Sequence, residues 1–281
     1  MLRPMKRLIP LLALIALLPL RSSAETTIGT AIPSVPYAIT KAGVYRFTKN
    51  LVFAGISGDA IRIAATDVVI DLNGYELLCD SGTSNFAAGI ECSAESRVTI
   101  KDGTVRGFQN GLILGSDYVR LTDLLVTGCL ESGITVVGNH SQILHNRVSQ
   151  IGISGTYAIG ITLTGTDGTI SENDLQAITQ TDTNGHYADG IRIKGCSKII
   201  VTNNRVMDVE PSAPTKGAST GIATVSPSDN LILIGNTVLT AETGFDLTGG
   251  ASGEFGDNIT GSVTTPYLTT SGTMTNIGNN N

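Results

Sequence analysis

Residues 133–148 read Gly133-Ile-Thr-Val-Val-Gly-Asn-His-Ser-Gln-Ile-Leu-His-Asn-Arg-Val148, and the grammar of this stretch decides the fold. A glycine leads an alternating apolar pair, a short turn follows, then a second apolar strand, a bend at Asn146 and a third strand at Val148. The opening phrase recurs as Gly89-Ile-Glu-Cys92, Gly111-Leu-Ile-Leu114, Gly160-Ile-Thr-Leu163, Gly190-Ile-Arg-Ile193, Gly221-Ile-Ala-Thr224 and Gly244-Phe-Asp-Leu247. From Gly89 to Gly244 the successive spacings are 22, 22, 27, 30, 31 and 23 residues. A unit this short cannot bury its own apolar face, so neighbouring copies must stack.

The second strands recur as Val68-Val-Ile70, Val98-Thr-Ile100, Val119-Arg-Leu121, Gln142-Ile-Leu144, Gly168-Thr-Ile170, Ile199-Ile-Val201 and Leu231-Ile-Leu233. The third follow a fixed small step later, at Val105, Val126, Val148, Leu175, Val206 and Val238. No helical period runs through the repeats, so the expectation is three short strands per coil. Aligning the coils sets Asn146, Asn173, Asn204 and Asn236 in one column, with Gly103 in an earlier coil. Asparagine and glycine tolerate the left-handed backbone of a sharp bend, and stacked amides hydrogen-bond one to the next.

With this column the chain resembles the right-handed parallel β-helix (pectate-lyase-like) superfamily, which includes pectate lyases, polygalacturonases and related carbohydrate-active proteins. The expected fold is all-β, a single-stranded right-handed parallel β-helix solenoid of about eight three-strand coils. The resemblance spans roughly residues 37 to 260 and speaks to fold more than activity, since the fold hosts several chemistries and non-catalytic members.

Residues 1–24 read as a signal peptide: Arg3, Lys6 and Arg7, then an apolar run from Leu8 to Leu20, then Ser22-Ser23-Ala24. The expected order continues with cap strands at 25–57, where Tyr37–Thr40 and Val44–Phe47 alternate around Gly43 as a hairpin would. The β-helix occupies 58–260, and 261–281 form a last strand and a disordered tail. A secreted or periplasmic location follows, with no membrane span in the mature chain. Four of the 18 basic residues and none of the 24 acids lie in the leader, leaving 14 against 24, a net −10. That balance disfavours nucleic acid and anionic lipid as partners. Cys79 and Cys92 flank one connecting loop and are placed either to bridge adjacent coils or to pack as buried thiols; Cys129 and Cys196 lie too far apart to bridge.

The residue between each apolar pair faces out and forms a column: Arg62, Glu91, Ile113, Thr135, Thr162, Arg192, Ala223 and Asp246. The strand at Gly190 carries two outward cations, Arg192 and Lys194, led in by His186, Tyr187 and Asp189. The long connections before Gly160, Gly190 and Gly221 add Tyr157, Asp182, Asn184 and Lys216, so a cleft is expected on the glycine-strand face over those coils. Glycoside hydrolysis asks for two nearby carboxylates, and Glu91 and Asp246 stand six coil steps apart. Arg192-Ile-Lys194 is similar to the R-I-K motif of polygalacturonases, but the paired aspartates and Gly-His-Gly motif of that family are missing. β-Elimination of a uronic acid asks for a base and a neutralising cation. For that chemistry the candidates are Lys194, Arg192 and His186, with Asp189, Tyr187, Tyr157 and Asp182 binding substrate.

No cofactor is required; Asp182-Thr-Asn184-Gly185 looks like a fragment of a calcium loop without its later bidentate Glu. The chain has no Trp to offer a sugar platform. Two readings therefore stand side by side: a protein binding or processing a polysaccharide, with lyase or epimerase chemistry ahead of hydrolysis, and a non-catalytic structural or adhesive module.

Overall fold

The computed structural model describes residues 29–82, 86–152, 157–180, 186–211, 218–269 and 274–281. All of its strand pairings are parallel, each strand bonding to its counterpart one coil away. The glycine strands form one ladder through Ser57–Ile63, Phe86–Cys92, Asn110–Leu114, Ser132–Val137, Ala158–Thr164, Ala188–Ile193 and Ser219–Thr224. Second strands such as Gln142–Leu144, Thr169–Ser171 and Ile200–Thr202 build another face. Third strands such as Arg147–Ile151, Asp174–Gln180 and Arg205–Pro211 close the triangle. Inside, aligned apolar positions make continuous stacks: Ile90, Leu112, Ile134, Ile161, Ile191 and Ile222 are all fully buried.

The repeated glycine has a steric cause. A Cβ on Gly133 would stand 2.6 Å from Val148 Cγ1 and 2.7 Å from the Gly160 carbonyl oxygen, closer than real side chains sit. The strand bends inward here until backbone meets the third face, and only hydrogen fits. At the start of the ladder, where the register sets Ile61 beside Ile90, Ala60 takes the glycine's place.

The asparagine column forms as expected, with two additions and one correction. Each amide donates to the next: Asn146 to Asn173 at 3.0 Å, Asn173 to Asn204 at 2.9 Å, Asn204 to Asn236 at 3.0 Å. Asn258 and Asn280 extend the column to the end of the chain. The left-handed residues, however, are those just before it, at His145, Glu172, Asn203, Gly235 and Asp257. Left-handed backbone costs a non-glycine residue roughly 1–2 kcal/mol. The column asparagines are there for their buried amides instead.

Both chain ends differ from expectation. Tyr37–Ile39 and Gly43–Arg46 do not pair as a hairpin; they run parallel to Ser57–Ile63 and Val68–Asp71 as a rung of the solenoid. Alternation is the same in parallel and antiparallel strands, and the inward Ile39, Tyr45 and Phe47 continue the core stacks. At the far end the expected last strand is present within Ile259–Thr269, which pairs with Thr237–Leu247. Met274–Asn276, in the part expected to be a disordered tail, pairs with Ala251–Gly256 to complete a further rung. Tyr267 lies across the last core layer, stacked on Phe245 at 5.0 Å, with burial pushing its phenol up to about 12. The inward side chains of this rung are half exposed, so it shows little apolar pattern.

Cys79, Cys92, Cys129 and Cys196 are all buried free thiols. Cys79 ends a third strand and Cys92 a glycine strand, on different faces, so of the two arrangements left open the buried thiols hold and the bridge is not made. Burial pushes the Cys129 thiol up to about 12.

Candidate functional site

Because the strand bends at the glycine, the residue before it shares the outward face with the residue two after it. In the strand Ala188–Ile193 this brings Asp189 and Arg192 together: Arg192 Nε donates to Asp189 Oδ2 at 2.6 Å. The same guanidinium donates through Nη1 to the Tyr187 hydroxyl at 2.5 Å and sits 3.8 Å from the Tyr187 ring centroid. Tyr157, one coil earlier, lies parallel to Tyr187 with centroids 5.7 Å apart. Arg192 is 13% exposed and Asp189 5%, so this pair supports the surface from beneath.

Burial pushes the Asp189 carboxyl up to about 6, with Arg192 pulling it back and Asp246, two coils on, pushing it further up. Burial also raises the Tyr157 phenol, helped by the charge of Glu131 and by Tyr187. Lys194 is different. It is exposed, and its ammonium makes no ion pair or hydrogen bond among the described residues.

These side chains form one end of a groove of about 360 Å³ lined by Asn110, Ile113, Ser132, Thr135, Tyr157, Ile159, Thr162, Tyr187, Arg192 and Lys194. Four consecutive glycine strands contribute, a run of ~14 Å at the β spacing. Its floor is hydroxyl, amide and aliphatic, and Ser132 and Thr135 bond to each other at 2.9 Å. Size does not single it out, for depressions of about 390 and 350 Å³ lie on the other two faces. Chemistry does. Beside the first, Lys198 is paired with Asp167, whereas the glycine-strand groove offers an unpaired cation and an aromatic wall.

The expected residues fare unevenly. Tyr157, Tyr187, Asp189, Arg192 and Lys194 come together as anticipated. His186 is half-buried and does not line the groove. Asp182, with its calcium-loop fragment, and Lys216 lie outside the described residues, as does the leader segment. The groove runs from Arg192 toward the N-terminus, over the strands of Gly111 to Gly190, rather than over those of Gly160 to Gly221. Sequence reading missed Asn110, Ser132 and Ile159. Each directly precedes a repeat glycine or its neighbour, and that position was the available signal.

No family model and no curated protein matches the chain. Solved structures do. The Dettilon tailspike protein superposes with a TM-score of 0.62 at 15% identity, over 83% of this chain and 46% of its own. DFA-IIIase from Arthrobacter chlorophenolicus A6, without its lid, gives 0.54 at 15% identity, over 82% and 68%. The fold is the right-handed parallel β-helix. This chain spans about half the length of the tailspike protein, and likeness at this identity concerns the fold alone.

Proposed function

We propose that this chain is an exported protein that binds an acidic polysaccharide along the groove of its glycine-strand face. One observation carries the reading: Lys194 stands exposed, and unpaired among the described residues, at the end of a groove floored by hydroxyls and amides and walled by Tyr157. Hydroxyl and amide groups suit sugar hydroxyls, the tyrosine ring suits a sugar's C–H face, and the ammonium suits a carboxylate. The fold neighbours support a role in carbohydrate processing in general. The basic–apolar–small leader at residues 1–24 supports export.

Within this reading Arg192 is a positioning residue, its guanidinium held by Asp189 and Tyr187 and its charge compensated by Asp189. β-Elimination needs a neutralising cation and a separate base; Lys194 can fill one role, and His186 is the remaining candidate for the other. A single uncommitted cation favours the second reading, recognition without turnover.

The test is titration of the protein with uronate-containing oligosaccharides, alongside absorbance of unsaturated products on pectate, alginate and glycosaminoglycans, with and without calcium. Binding that weakens about tenfold in Lys194→Ala supports the site. Unchanged binding in that variant refutes it, and product formation decides for processing over recognition alone.

A further inference from the structure

The geometry points to a heteroglycan with widely spaced acidic groups, one carboxylate per groove length, as the ligand class, rather than a homopolymer of uronic acid. This rests on the groove reading above and specifies its occupant. Arg192 is compensated in place by Asp189, which leaves Lys194 as the one uncommitted positive charge among the described lining residues. Toward the N-terminus the next three coils offer Thr162, Ile159, Thr135, Ser132, Ile113 and Asn110, all neutral. A carboxylate laid on that floor would lose water and gain no counter-charge, which is costly.

The surroundings act in the same direction. Glu131 lies close enough to Tyr157 to push its phenol up, which sets a negative charge beside the middle of the groove. One rung beyond Asn110 and Ile113, the column continues with Glu91, already paired with Arg62 at 3.7 Å. Past Arg192 come Ala223 and then Asp246. A chain with an anion on every sugar would therefore meet one uncommitted cation, with the charge of Glu131 beside the groove and that of Asp246 beyond its end. A chain with one acid among neutral sugars would place that acid at Lys194 and its neutral rings on the hydroxyl and amide floor.

Calorimetric titration of the whole protein with three oligosaccharides of equal length tests this: one neutral, one with a single uronate, one all uronate. The singly acidic ligand should bind about tenfold more tightly than either of the others. Lys194→Ala should reduce it to the neutral ligand's level, and Lys194→Arg should keep the preference. An all-uronate ligand that binds as well as the singly acidic one overturns the inference while leaving the groove reading standing. A neutral ligand of equal affinity overturns both, because the groove reading has Lys194 holding a carboxylate. If none of the three binds, the groove reading itself falls and takes the inference with it.

Discussion

Replacing Asn204 by alanine tests what holds the coils in register. Its amide nitrogen donates to Ile170 O at 2.9 Å and to Asn236 Oδ1 at 3.0 Å. Its oxygen accepts from the Asn173 backbone at 3.0 Å and from the Asn173 amide at 2.9 Å. The residue is 1% exposed, so water cannot replace what is lost. The Asn173 side chain keeps its bonds to Ile143 O and Ser171 O, but its backbone N–H is left without a partner. An orphaned buried donor costs about 1–3 kcal/mol, and each of the other lost bonds about 1 kcal/mol. The sum is roughly 4–6 kcal/mol. Asn280 is the control: it accepts from Asn258 at 3.2 Å twice and donates to Asn276 at 2.7 Å, but it is half-exposed at the chain end, where water can replace these bonds. Its alanine variant should lose less than about 1 kcal/mol. Urea unfolding of both variants measures the difference. Equal losses at the two positions, or less than about 1 kcal/mol at Asn204, would refute the account of the column as a buried chain of obligatory bonds.

Three further outcomes are expected. Gly133→Ala should destabilise by about 1–3 kcal/mol through overpacking against Val148 and the Gly160 carbonyl, read from the urea midpoint, although alanine is otherwise benign. Asp189 titrates near 6 in the fold against an ordinary value of 3.8, so the native protein holds the extra proton between about pH 4 and 6. This group's contribution to stability therefore falls as pH rises through that window, by about 3 kcal/mol, and Asp189→Asn should remove that part of the slope. The four buried thiols should resist aqueous thiol reagents in the native state and react once the chain is unfolded, whereas a bridged Cys79–Cys92 would leave only two to react.

The repeat was legible because its cause is steric and local: the coils from Gly89 to Gly244 need hydrogen at the same bend, so the glycine shows in the sequence without knowledge of its neighbours. The asparagine column was legible in part. Asn258 and Asn280 belong to it, but the apolar strands that frame it fade at the exposed last rung, and the column fades with them. The hairpin expected around Gly43 failed because alternation records which face a side chain takes and not the direction of its partner strand. In the site, the two outward cations were visible with Asp189 beside them as a candidate partner, but the geometry that pairs Asp189 with Arg192 was not. Simple alternation puts Asp189 and Arg192 on opposite faces, and only the bend at Gly190 turns them to the same side. Tyr157 and Tyr187 both stand three residues before a repeat glycine, so their stacking was readable from alignment of the coils.

The parallel register has one more consequence. Each coil adds one rung to the floor of the groove, so the distance between Asn110 and Lys194 is counted in coils rather than tuned continuously. Duplicating or deleting a whole coil between them would lengthen or shorten the groove by a single step of ~4.8 Å while leaving both ends intact. The solenoid is thus a ruler as well as a scaffold, and the length of its groove is written in whole repeats.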